Sequence, residues 1–339
     1  MASSSEHQPG GPRLGSAKVP VRGAFSNIPV STFTYRVVPL ENAFGVGTDW
    51  SPLEGKFAGN EFQAEANVPA GGWYRLEVRQ NAEGKEIANV SVAPFGVGEV
   101  FLIAGQSYAA GANDALTRVD DPQGRVVALD VQTNAWQRAD DPMPHVGDGG
   151  TIWPGLGNLL LPVLRVPIGF VNVAVGGTSS RQWLPGEKLY LNLQDAGKRV
   201  GDFRFVLWQQ GESDVIENTS TEKYVANLSA IRGSLAKSWG FSPLWLLAKS
   251  TLHPTVYNNP VGEEKIRLGI ERLRPPRILA WPGYRPASRR KPRRHGNPSA
   301  LLRSRPTASR APLVLLGMGS PCPCDVAGAY PADSDRNHP

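Results

Sequence analysis

Two textures of apolar patterning divide the chain. Between residues 20 and 96, apolar and polar positions alternate over short runs, as in "VSTFTYRVV", "EFQAEANV", "WYRLEVRQ" and "IANVSVAPF". These runs are rich in β-branched and aromatic residues, and clusters such as "PAGG" and "NAEGK" interrupt them, the pattern of strands joined by turns. A small β-sandwich is expected here. From residue 97 the strands become near-continuous apolar runs, "VFLIA", "IGFVNVAV", "FRFVLW" and "PLWLLAKS", as required where a parallel sheet is covered on both faces. Helical spacing separates them. "TIWPGLGNLLLPVL" puts Pro154 in a first turn and predicts that Leu156, Leu159, Leu160 and Val163 share a side. "STEKYVANLSAIRGSLAKSWG" spaces Tyr224, Leu228, Ile231 and Leu235 helically and ends at Gly240, suited to a C-cap. Helices near "KLYLNLQDAGKRV" and "GEEKIRLGIERL" complete the alternation. The fold class expected is α/β, a doubly wound parallel sheet with helices on both faces, preceded by the small β-sandwich domain. The expected divisions are a disordered leader over 1–19, the β-sandwich over 20–96, the α/β domain over 97–280, and a disordered tail over 281–339.

In such a sheet, ligands bind beyond the C-terminal strand ends. Three of those ends carry chemistry-bearing residues. "FLIAGQS" delivers Ser107 after a tight glycine turn into a helix, "AVGGTSSRQW" carries Gly176 and Gly177, and "LWQQGESD" carries Gln210, Glu212 and Asp214. A serine nucleophile needs an exposed hydroxyl beside N–H groups that favour the charge of a tetrahedral intermediate. A glycine lets a backbone N–H approach where a side chain would block it, and a glutamine amide can add a further donor. Each residue also has a plainer reading. Ser107 could cap its helix, the glycines could serve turns, Glu212 could fix its loop, and Asp214 could cap a helix or turn. Trp153 and Trp183 could line a sugar site or pack in the core.

Composition removes some alternatives. No run of 18 apolar residues marks a membrane span, and no secretion signal precedes residue 20, so a cytoplasmic location is the default expectation. The formal net charge of +6 misleads, because residues 281–339 hold 10 Lys+Arg against three Asp, leaving 26 basic and 27 acidic residues over 1–280. A nucleic-acid partner is therefore not expected. Cys322 and Cys324 fit neither a disulfide framework nor a zinc site. The five histidines, at 7, 145, 253, 295 and 338, form no metal pattern. Of these, His145 and His253 are expected to be structural or surface residues, with His253 the better placed of the two to touch a substrate.

Taken together, "GQS", "AVGGTS" followed by "QW", and "WQQGESD" resemble the sialate O-acetylesterase-like branch of the SGNH hydrolases, from about residue 70 to about 280. The resemblance implies a flavodoxin-like fold, an acetylated carbohydrate substrate, and no metal or organic cofactor. It implies Ser107 as nucleophile, with Gly177 and Gln210 as oxyanion donors beside the Ser107 N–H. It leaves the oligomeric state open. The family ends with an Asp-x-x-His motif whose His is the general base. Here the corresponding region is "WPGYRPASRRKPRRHGNPSALLRSRP", and ten prolines in 281–339 oppose a helix through most of it. The only match is Asp335-Arg336-Asn337-His338, one residue from the terminus; His295 lacks an Asp three residues before it. A shifted reading frame from about Trp281 permits a His-containing segment and a final helix, so the tail is expected to be a frameshift product. The alternative to an active esterase is a catalytically dead, glycan-binding relic.

Overall fold

A computed structural model describes residues 15–24, 31–113, 115–144, 147–249, 258–273, 313–316 and 325–326. The strands are β1 (Ser16–Ala24), β2 (Ser31–Phe44), β3 (Ser51–Pro52), β4 (Glu54–Ala58), β5 (Glu61–Pro69), β6 (Gly71–Ala82), β7 (Lys85–Gly105), β8 (Val126–Asp130), β9 (Ala135–Arg138), β10 (Ile168–Asn172), β11 (Phe205–Gln209), β12 (Leu244–Ala248), β13 (Leu313–Leu316) and β14 (Asp325–Val326). The helices are α1 (Ser107–Ala110), α2 (Trp153–Leu164), α3 (Lys188–Val200), α4 (Glu212–Ile216), α5 (Thr221–Trp239) and α6 (Pro260–Arg272), with a 3-10 turn at Ser180–Trp183. The protein is mixed α/β.

The N-terminal strands form antiparallel ladders, β1–β5–β4 and β3–β2–β6–β7. Alternation is strict along β1 and β5, where every second side chain is buried. Val19, Val21, Ala66 and Val68 from one ladder and Val37, Leu76 and Val78 from the other join a single apolar cluster. The leader expected over 1–19 is corrected here. Residues from Ser16 onward belong to β1, because Ala17, Val19 and Val21 point inward against β5 in full register. The tail expected to be disordered over 281–339 also contains two short strands, with β13 antiparallel to Phe95–Gly98 and β14 parallel to Arg22–Gly23.

β7 is the spine of the molecule. Its first part pairs antiparallel with β6 as far as Val97, and its last part, from Glu99, pairs parallel with β10 on one side and β11 on the other. The second sheet runs β9–β8–β10–β7–β11–β12, parallel throughout except for β9. The expected division at 96/97 therefore falls inside one continuous strand. Side chains alternate between two cores. Val100, Leu102 and Ala104 join Val206 and Trp208 against Leu193 of α3, Leu228 and Ile231 of α5, and Ile266 of α6. Phe101 and Ile103 join Phe170 and Leu207 against Ala109 of α1 and Trp153 and Leu161 of α2. The apolar continuity of "VFLIA" thus follows from burial on both faces.

Helix ends follow local chemistry. Ser220 caps α5, its Oγ accepting from Lys223 N at 3.2 Å, and Gly240 closes the helix in the left-handed conformation. Asn259 Oδ1 accepts from Gly262 N at the start of α6, with Pro260 in the first turn. The buried side of α2 differs from the expected one. Trp153, Pro154, Gly157 and Leu161 face the sheet, Leu156 and Leu160 are half-buried, while Leu159 and Val163 are 72% and 61% exposed. The cause is close packing at Gly157, where a Cβ would lie 2.3 Å from Val126 Cγ1. The helix descends onto the sheet through its smallest residue, and the flanking leucines turn outward. Replacing Leu161 by Ala is expected to lower the free energy of unfolding by about 2–5 kcal/mol, whereas Leu159→Ala should change it by less than about 0.5 kcal/mol. Urea denaturation of the two variants checks this, and equal losses would contradict the observed face.

Candidate active site

The three informative loops meet at the C-terminal edge of the parallel sheet. β7 ends at Gly105, whose φ is +134°, and a Cβ there would lie 1.9 Å from the Gln209 carbonyl oxygen. Only glycine permits this approach. It brings Gln106 N to within 2.9 Å of Gln209 O, so the Gly105–Ser107 turn is hydrogen-bonded to the end of β11. Gln106 is buried and in extended conformation, and Ser107 follows as the first residue of α1, half-buried rather than sealed in the core. α1 is four residues long and closes at Gly111 with φ +103°. So short a helix contributes its local N–H groups and little macrodipole. Its end is held by Asn172 Nδ2 and Trp153 Nε1, which donate to Ala109 O at 2.7 and 2.9 Å. Gln209 Oε1 also accepts from Ala109 N at 3.2 Å.

The second loop lies against the first. Val175 N donates to Gly105 O at 3.0 Å. A Cβ placed on Gly176 would sit 3.9 Å from Ser107 Cα and 4.0 Å from Ser107 Cβ. Gly177 has φ +70° and no atom within 4 Å of the position a Cβ would take. Its glycine answers to a left-handed backbone, with open space beside it. Thr178 Oγ1 donates to Val175 O at 2.8 Å and accepts from Trp183 Nε1 at 3.1 Å. Trp183 is fully buried and meets Trp208 edge to face, while Trp153 packs near Phe170. Of the two readings open for these tryptophans, the core one holds.

The third loop is locked to both others by buried polar groups. Gln106 Oε1 accepts from Gly211 N at 3.3 Å and Ser213 N at 3.1 Å. Asp214 is 1% exposed and accepts from Ser180 N at 2.6 Å, Ser180 Oγ at 2.7 Å and Gln210 Nε2 at 2.5 Å. It therefore ties the second loop to the third. Gln210 is fully buried, and its Nε2 also lies 3.1 Å from Thr178 O and 3.4 Å from Gln106 Oε1. Two N–H groups thus face three acceptors. Glu212 Oε1 accepts from Gln209 Nε2 at 2.9 Å, which fixes the β11–α4 turn. Tyr224 OH donates to Gln210 O at 3.2 Å, and burial pushes its hydroxyl well above the usual tyrosine range, keeping it a donor.

Ser107, Gly176 and the Gln210 loop are thus brought together, with Gly177 beside them. His145, His253, His295, Asp335 and His338 lie outside the described residues, as does His7, so no histidine is among those described. No group of three or more His, Cys, Asp or Glu that could hold a metal occurs among the described residues. No described helix is long and apolar enough to cross a membrane. Gln106, Gln209 and Ser180 were not anticipated as site residues from sequence, and Tyr224 was read only as part of a helix face. The available signal was the repeated glutamine beside each turn and the paired serines after the glycines.

Three turns meeting at the C-terminal edge of a parallel sheet define an α/β architecture, and comparison with known proteins shows what it is similar to. Residues 97–265 match the sequence model for "carbohydrate esterase, sialic acid-specific acetylesterase". Over these residues the chain is similar to this family of carbohydrate esterases. A protein of Arabidopsis thaliana named probable carbohydrate esterase is 24% identical over 207 residues, covering 53% of this chain and 79% of that one. The crystal structure of an Arabidopsis thaliana protein aligns at 21% identity and a TM-score of 0.43, over 51% of this chain and 80% of that one. A carbohydrate acetylesterase structure from Xanthomonas citri aligns at 20% identity and a TM-score of 0.44, over 75% of this chain and 62% of that one.

Asp214→Ala should leave the Ser180 N–H and hydroxyl without their buried acceptor, at about 1–3 kcal/mol for each orphaned donor, while Gln210 Nε2 keeps Thr178 O and Gln106 Oε1. Urea denaturation should show a lower midpoint with an unchanged slope, and an unaltered midpoint would mean that the network is not held through this carboxylate.

Proposed function

We propose that the chain is built to remove O-acetyl groups from a carbohydrate by serine catalysis. The observation that carries this reading is the meeting of three turns at Ser107, with the Gly176–Gly177 loop pressed against it and Gln210 one hydrogen bond behind it through Gln106. In the reaction, Ser107 Oγ attacks the acetyl carbonyl and gives its proton to a base. The carbonyl oxygen becomes an oxyanion facing the Ser107 and Gly177 N–H groups. Gln210 can join them by releasing one N–H from Thr178 O or Gln106 Oε1, while Asp214 retains the other. The sugar oxygen then departs with a proton, and water hydrolyses the acetyl-enzyme. Removing a donor of this kind costs about 10²–10³ in turnover in other hydrolases.

The base is a histidine supplied from the C-terminal region, and Asp335–His338 is the surviving match to the motif. Loss of such a base costs on the order of 10⁶ in turnover in one serine protease, far more than the oxyanion donors could offset. The composition of residues 281–339 therefore favours a second reading, in which the chain binds an acetylated glycan without turning it over. Hydrolysis of p-nitrophenyl acetate by this chain and by Ser107→Ala separates the two. The esterase reading expects a loss of at least about 10⁴-fold in the variant. Equal rates would leave the glycan-binding reading.

A further inference from the structure

Helix α5 carries an amide on its largely apolar inner face. Asn227 is 3% exposed and stands among Tyr224, Leu228 and Ile231, which pack in the core between the helix and the sheet. An amide is costly to bury unless hydrogen-bonded, and asparagine is a poor helix former. Here Asn227 Nδ2 donates to Ser180 Oγ at 2.9 Å, across 47 positions of sequence.

A serine hydroxyl carries one proton and accepts through its lone pairs. With Asn227 donating to Ser180 Oγ, the hydroxyl proton goes to Asp214 Oδ1, 2.7 Å away. Asp214 Oδ2 holds Ser180 N at 2.6 Å and Gln210 Nε2 at 2.5 Å. Ser180, Asp214 and Gln210 are all buried. Gln210 Oε1 is buried with no donor among the described residues, so the amide is oriented from its nitrogen side alone. We infer that Asn227 is a positioning residue: through Ser180 and Asp214 it holds the Gln210 amide with its nitrogen towards Thr178 and Gln106. This deepens the reaction proposed above and rests on it for its catalytic meaning. When Gln210 releases one N–H to the oxyanion, the bond to Asp214 keeps the amide from turning, and Asn227 keeps the Ser180 proton on Asp214. The donor at 227 matters more than its bulk. Asn227→Asp keeps the shape and reverses the polarity, so the introduced carboxylate competes with Asp214 for the Ser180 proton.

The test isotopically labels the glutamine side-chain nitrogens of the full chain and follows the Gln210 amide protons by NMR, assigned by their absence in Gln210→Ala. Asn227→Asp should speed their exchange with solvent about tenfold, and Asn227→Leu, which only removes the donor, about threefold. Adding Asn227→Leu to Ser180→Ala should change nothing beyond Ser180→Ala itself, because no hydroxyl remains to direct. Leu235→Ala, two turns along the same buried face, should lower the urea midpoint and leave the Gln210 protons unmoved. In p-nitrophenyl acetate hydrolysis, Asn227→Asp should lower kcat about tenfold with KM unchanged. Native exchange in both Asn227 variants, an additive double variant, or an equal response to Leu235→Ala would overturn the proposal. Should Ser107→Ala hydrolyse the ester as fast as the unaltered chain, the esterase reading alone fails, and amide exchange still decides what holds Gln210.

Discussion

The close pass of Gly105 over the backbone of Gln209 is the constraint on which the site depends. With no side chain at 105, the ends of β7 and β11 come within one hydrogen bond, and the glutamine beside each turn reaches across. Gln106 takes hold of the turn that opens α4, and Gln209 takes hold of α1. The second loop is added through Asp214 and Ser180. Polar groups buried this deeply are costly unless satisfied, so the arrangement tolerates few alternatives. What results is a serine held by its surroundings in one place, next to a glycine that leaves room for a reacting group.

Much of this was legible in the chain. Strands buried on both faces read as continuous apolar runs, and α5 was visible from its spacing and its terminal Gly240, because both faces of the sheet need cover. The three turns could be placed on one edge because parallel strands all end there. The outward leucines of α2 were not legible. Periodicity weighs large apolar residues, whereas the helix seats itself on Gly157, whose importance lies in the distance to Val126. β1 was hidden for a related reason, since alanine and valine alternating with charged residues look polar until β5 is paired alongside. The hydrogen-bond partners of Gln106, Gln209 and Ser180 depend on residues more than thirty or even a hundred positions away, which no local pattern encodes.

The network also bears on Gln210. Sequence presents it as an amide ready to donate, and packing gives both of its N–H groups acceptors before any ligand arrives. An amide in this state can stabilise developing charge only through exchange of one partner for another. In the proposed reaction Asp214 is the contact that keeps the amide oriented during such an exchange, being the shortest of the three.

β7 serves two sheets at once, and this shapes how the molecule can be divided. A ribbon that is antiparallel with β6 at one end and parallel with two strands at the other offers no hinge between the β-rich portion and the edge that carries Ser107. Any fragment that begins at residue 97 would start partway along this ribbon, with the backbone partner of Val97 on β6 removed and the buried Trp73 and Tyr74 lost from the core that Val97 shares. The N-terminal strands are thus part of the wall from which the serine is suspended, and they cannot be trimmed away as an appended module.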